Sequence, residues 1–191
     1  KYEYRDYASD KGITSRQYYY PDKKIAEETT YKHTNKMMNW FDAELGISYP
    51  WKIYRNVPVQ DFMYGAMENT SSTIYTDYYL QNEKEALERS YVGTNAHELA
   101  HQWFGDYVTC ASWEELWLNE GFATFLTGLT IQEFKLSEVW LDWKRSKINN
   151  VTSRPDGSVF VSDTTSFWRL FSSRLTYDKG GMLLHMLRWK L

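Results

Sequence analysis

The stretch His97-Glu98-Leu99-Ala100-His101 constrains this chain more than any other, because it asks for a helix and a metal at once. On a helix the two imidazoles, four residues apart, sit one above the other on the same face and can reach one ion. Eighteen intervening residues later, Glu120 follows in Leu118-Asn119-Glu120-Gly121-Phe122. Two imidazoles and one carboxylate leave a fourth tetrahedral position open to water, which a catalytic zinc needs and a structural zinc does not. Glu98 is adjacent to the first ligand but rotated off it. Its carboxylate can touch a metal-bound water without binding the metal, which is the placement of a general base. A pair of packing histidines on an amphipathic helix is the plainer reading. It does not account for Glu98 between them and Asn119-Glu120 after the break.

At this point the chain resembles the gluzincin aminopeptidases, the group that includes aminopeptidase N and leukotriene hydrolase. Two further motifs extend the resemblance, Gly65-Ala66-Met67-Glu68-Asn69 upstream and Tyr177-Asp178-Lys179-Gly180 downstream, in the family's order. The resemblance implies one zinc ion per chain on His97, His101 and Glu120, with Glu98 as general base and later proton donor. It implies that Glu68 binds the free amine of a peptide substrate, that Gly65, Ala66, Met67 and Asn69 complete that substrate-binding motif, and that the Tyr177 phenol hydrogen-bonds the developing oxyanion. The physical sense is direct: a fixed carboxylate pairs with an ammonium and sets how far the chain end lies from the nucleophile. An uncharged donor suits an oxyanion. Asn119 has two readings, a partner that orients a ligand imidazole or an exposed amide. Many family members carry an acidic residue seven positions after the third ligand, where this chain has Thr127. That departure leaves open which group orients the second histidine.

The same resemblance implies an α+β fold, a thermolysin-like catalytic domain with a small mixed sheet, an edge strand and a mostly helical lobe. Residues 1–191 are expected to form a single such domain, with a sheet lobe and one long helix over 1–82 and a helical lobe carrying the zinc site over 83–191. The start at Lys1-Tyr2-Glu3-Tyr4 without Met, and the stop inside an apolar run, read as a piece of a longer chain whose N-terminal and C-terminal domains are missing. The partners implied are peptides with a free N-terminus. Two alternatives stand beside this reading. One is an epoxide hydrolase/aminopeptidase of leukotriene hydrolase type, which carries Gly-Gly where this chain has Gly65-Ala66. The other is a non-catalytic peptide-binding module.

Composition narrows the classes further. A formal net charge of −3 with mixed signs gives no basic footprint for nucleic acid. With 42% hydrophobic and 18% aromatic residues, the 191-residue chain can bury a sizeable core. A mean hydropathy of −0.64 and the absence of a long apolar run exclude a membrane-spanning helix in it. Cys110, the single cysteine, has no internal disulfide partner and reads as a small buried hydrophobe.

Taken in order, residues 2–7 and 13–20 read as strands around a turn at Asp10-Lys11-Gly12. From Pro21, apolar and small positions Ile25, Thr29, His33, Met37, Phe41 and Leu45 recur at helical intervals up to a stop at Gly46, with His33 as a packing residue. Residues 52–59 read as a strand limited by Pro58, and 72–76 as an edge strand able to take an extended peptide. Asn82 with Glu85 is a capping box that opens the metal-binding helix, which Gly105 closes. Helices are expected over 113–130 and 136–151, the latter with Val139, Trp140 and Trp143 on its apolar side. Residues 154–157 form a turn, and a last helix begins after Tyr177.

Overall fold

The computed structural model describes residues 1–9, 11–88, 90–134 and 137–191. It divides into two compact units, Lys1–Asp106 and Tyr107–Leu191.

The first unit is built on a five-stranded mixed sheet. Its strands are β1 (Glu3–Ala8), β2 (Thr14–Tyr19), β3 (Ile53–Val59), β4 (Ala66–Met67) and β5 (Ser72–Thr76), in the spatial order β1-β2-β3-β5-β4. The outer pairs are antiparallel and the inner pairs, β2 with β3 and β3 with β5, are parallel. Alternation along β2, β3 and β5 buries Ser15, Gln17 and Tyr19, then Tyr54 and Asn56, then Thr73 and Tyr75. The polar members of this face satisfy one another: Gln17 donates to Ser15 at 2.6 Å, Asn56 donates to Gln17 at 2.5 Å, and the Tyr54 and Thr73 hydroxyls lie 2.8 Å apart. The edge strand is β4, inside the Gly-Ala-Met-Glu-Asn motif, and not 72–76 as the sequence suggested. Residues 66 and 67 pair antiparallel with β5 and cover its outer side. Pro58 does not end β3 either. Its carbonyl accepts hydroxyls from Tyr2 and Tyr20, so the missing N–H also points away from β5 and removes no ladder bond there.

Four helices complete this unit: α1 (Lys24–Tyr31), α2 (Thr34–Leu45), α3 (Glu83–Glu88) and α4 (Val92–His101). Both long helical runs expected from periodicity are broken in two. The first breaks at Lys32-His33, flanked by threonines whose hydroxyls serve other segments. Thr30 donates to the Tyr79 carbonyl and accepts the Gln81 N–H, and Thr34 donates to Asn95. The turn ends as expected at Gly46, left-handed at φ +66°. In the second run the capping box is present, with Asn82 accepting from Lys84 and Glu85 and Glu85 accepting from the Asn82 N–H. It opens α3, however, and α4 starts separately after Ser90-Tyr91, where the Tyr91 ring stacks on Tyr79 at 3.8 Å. Helices α3 and α4 pack with α1 and α2 within this unit, which runs to Asp106. The Asp10 part of the expected turn and the Ile25 side chain lie outside what is described; Gly12 is left-handed at φ +74°.

The second unit is helical: α5 (Trp117–Glu133), α6 (Ser137–Thr152), α7 (Phe167–Leu170), a π-helical segment (Ser173–Lys179) and α8 (Gly180–Lys190). The expected helix start at Leu136 falls outside the described residues. Val139 is exposed instead of apolar-facing, while the stacked Trp140 and Trp143 rings close over Gly128 of α5. Helix α5 crosses the start of α8 backbone to backbone. A Cβ on Gly121 would stand 3.0 Å from the Gly180 backbone, so neither position has room for a side chain. Among the described residues no helix is long and apolar enough to cross a membrane.

Candidate metal centre and substrate loop

Helix α4 carries His97, Glu98 and His101, and its position in the first unit follows from its apolar side. Ala96, Leu99, Ala100 and Trp103 are buried, Trp103 against Phe41 and Tyr49, and the Trp103 indole N–H donates to the Ile47 carbonyl at 2.9 Å. With that face fixed, the two imidazoles turn the other way together. Their Nε2 atoms stand 3.1 Å apart. Two nitrogens bound to a tetrahedral zinc at about 2.0–2.1 Å stand about 3.4 Å from each other, so this pair fits a zinc-sized ion.

The tautomer of His101 is set locally. Its Nδ1 lies 2.9 Å from the Phe104 carbonyl, which can only accept, so Nδ1 carries the proton and Nε2 keeps its lone pair for a metal. This backbone group answers the question raised by Thr127, whose own hydroxyl donates to the Ala123 carbonyl one turn back in α5. Sequence reasoning missed it, because a carbonyl has no side-chain signature; Gly105 was the available hint. Gly105 was expected to end the helix, but α4 ends at His101, and Gly105 adopts φ +138° with its Cβ position 3.0 Å from His101 Nδ1. A side chain there would meet the ring.

Glu98 is buried at 7% exposure, in the same helical turn as His97. Glu68 is partly exposed, and its Oε1 lies 4.0 Å from His101 Nδ1, so the motif loop and the histidine pair belong to one local assembly. Gly65 and Asn69 lie on either side of β4, and Met67 within the strand and Met63 ahead of it are exposed. The Gly65 carbonyl accepts the Thr76 N–H at 3.0 Å and the Asn69 carbonyl accepts the Ser72 N–H at 2.7 Å, which fastens the motif to β5 at both ends. Nearby, burial pushes the Asp106 carboxyl up to about 6, with the Glu68 charge adding to the rise.

The second unit places Glu120 and Asn119 in the first turn of α5 and Tyr177 in the π-helical segment. Glu120 is buried and Tyr177 half-buried. The Asn119 side-chain oxygen accepts the Cys110 N–H at 3.0 Å, tying the approach loop to the helix. Next to Tyr177, the buried Asp178 carboxylate receives Asn150 at 2.7 Å and Lys147 at 2.8 Å. Asn150, which matches a glycosylation acceptor in sequence, therefore has its amide engaged inside the unit.

Residues 29–191 match the peptidase family M1 domain, most of the chain. The chain belongs to peptidase family M1. Members of this family are zinc metallopeptidases, and several of the curated relatives are named aminopeptidases. The chain is 32% identical over 200 residues to mitochondrial aminopeptidase 2 of Saccharomyces cerevisiae, covering 94% of the chain and 21% of that protein. It is 31% identical over 187 residues to endoplasmic reticulum aminopeptidase 1 of Homo sapiens, covering 93% and 20%. Against aminopeptidase N of Lactococcus lactis the identity is 32% over 164 residues, covering 80% and 19%. The chain thus spans about a fifth of the length of these M1 relatives.

Proposed function

We propose that this chain is the thermolysin-like catalytic part of a zinc aminopeptidase that removes the N-terminal residue from peptides. The observation that carries the reading is the convergence of the His97 and His101 Nε2 atoms at 3.1 Å, with the His101 proton fixed on Nδ1. Glu120 supplies the third ligand. A zinc ion on His97, His101 and Glu120 would supply Lewis-acid activation of the attacking water and of the scissile carbonyl. Glu98 takes the proton of the attacking water and returns it to the leaving nitrogen. Glu68 pairs with the substrate ammonium, and the backbone of residues 65–67, at the open edge of the sheet, takes the peptide main chain. The Tyr177 hydroxyl donates to the oxyanion.

The test is a panel of aminoacyl chromogenic amides, each compared with its N-acetylated form. Cleavage confined to the free-amine compounds is expected, because Glu68 has a partner only there. Equal cleavage of acetylated compounds would assign the site to an endopeptidase.

A further inference from the structure

Gln102 follows His101 and is fully buried, yet no step above uses it. Its Nε2 donates to the Glu68 carbonyl at 2.8 Å and to Asp106 Oδ2 at 2.8 Å. Its Oε1 accepts the Ser71 N–H at 2.7 Å, and the Tyr49 hydroxyl, whose one proton has the Ile53 carbonyl nearer at 3.2 Å, lies 3.4 Å away. Both amide protons and one oxygen lone pair of the carboxamide are thus engaged.

Two of those bonds go to the loop that bears Glu68. One holds the carbonyl of Glu68 itself. The other holds the N–H of Ser71, a non-glycine residue at φ +59°, a left-handed conformation that persists only where its surroundings enforce it. Neither a carboxylate nor an aliphatic side chain can donate to one of these backbone groups and accept from the other. Because Gln102 is the next residue to His101, its side chain ties the loop directly to the histidine pair. We infer that Gln102 is a positioning residue, which sets the distance between the Glu68 carboxylate and the metal ligands and so decides how well a substrate ammonium is read. This rests on the reading of Glu68 as the partner of that ammonium.

The experiment compares calorimetric Kd values of leucine hydroxamate and its des-amino counterpart on the zinc-loaded protein. The des-amino to amino ratio measures what the ammonium contributes. In the unmodified protein the ratio is about tenfold or more, and E68Q brings it near one. Q102M lowers the ratio about tenfold, with the des-amino Kd and the zinc content unchanged. The Q102E/D106N double variant does the same: it keeps an acceptor for Ser71, a 102–106 hydrogen bond and the net charge, and turns an oxygen in place of the N–H donor toward the Glu68 carbonyl. It decides the matter if Q102M does not fold. An unchanged ratio in the Gln102 variants overturns the positioning role and leaves Glu68 in place. A ratio near one in the unmodified protein overturns both readings. Loss of zinc in both variants assigns Gln102 to holding the fold and overturns positioning as well.

Discussion

Glu98→Gln is expected to lower turnover by about 10²–10⁴-fold while zinc stays bound, as a lost general base does. The carboxamide is nearly isosteric and retains hydrogen bonding, so the packing around this buried position in α4 is kept. What it loses is the ability to accept a proton and return it. His97 and His101 are untouched, and the Phe104 carbonyl still fixes the His101 tautomer. Metal analysis and single-turnover kinetics on the variant check the two halves together. An active, zinc-loaded Glu98→Gln protein would remove Glu98 from the role of base.

Tyr177→Phe is expected to lower kcat by about 10²–10³-fold with little change in KM, the behaviour of a donor that acts on charge present only in the transition state. The expectation depends on how firmly the phenol is held. The π-helical segment is capped by Ser172, whose hydroxyl accepts the Leu175 N–H, and Thr176 donates to the Leu170 carbonyl at 2.8 Å. Asp178 is fixed by Asn150 and Lys147, and Gly180 lies against Gly121, one residue from Glu120. That crossing makes the geometry of Tyr177 and of the first turn of α5 one packing problem within the second unit. Steady-state kinetics on a free-amine amide, with thermal unfolding to confirm unchanged stability, reads the effect; an equal fall in binding would place Tyr177 in the substrate pocket instead.

The histidine pair was legible because helical spacing alone places two side chains on one face, and the structure brings their Nε2 atoms together. Most strands were legible too, since period-2 burial survives even on a face with Gln17 and Asn56 inside. The two helix breaks were not. Apolar spacing runs through Lys32-His33 without interruption, while the Thr30 and Thr34 hydroxyls on either side of the break bond distant segments that the sequence does not show. The capping box over 82–85 was real but belonged to a short helix ahead of the one it was assigned to. Misplacing the edge strand had a similar cause: two residues of backbone pairing at Ala66–Met67 leave no periodic trace. The Phe104 carbonyl and Gln102 were invisible for a further reason. Neither announces a role by residue type, and both act through backbone hydrogen bonds that only the folded chain defines.

In the proposed function, hydrolysis depends on a metal held by His97, His101 and Glu120. The most direct measurement strips the protein with a chelator and returns zinc in steps, recording bound metal and cleavage of a free-amine amide at each step. No cleavage is expected without metal, and recovery in proportion to zinc up to a single ion per chain. Cleavage that persists in the metal-free protein would contradict it.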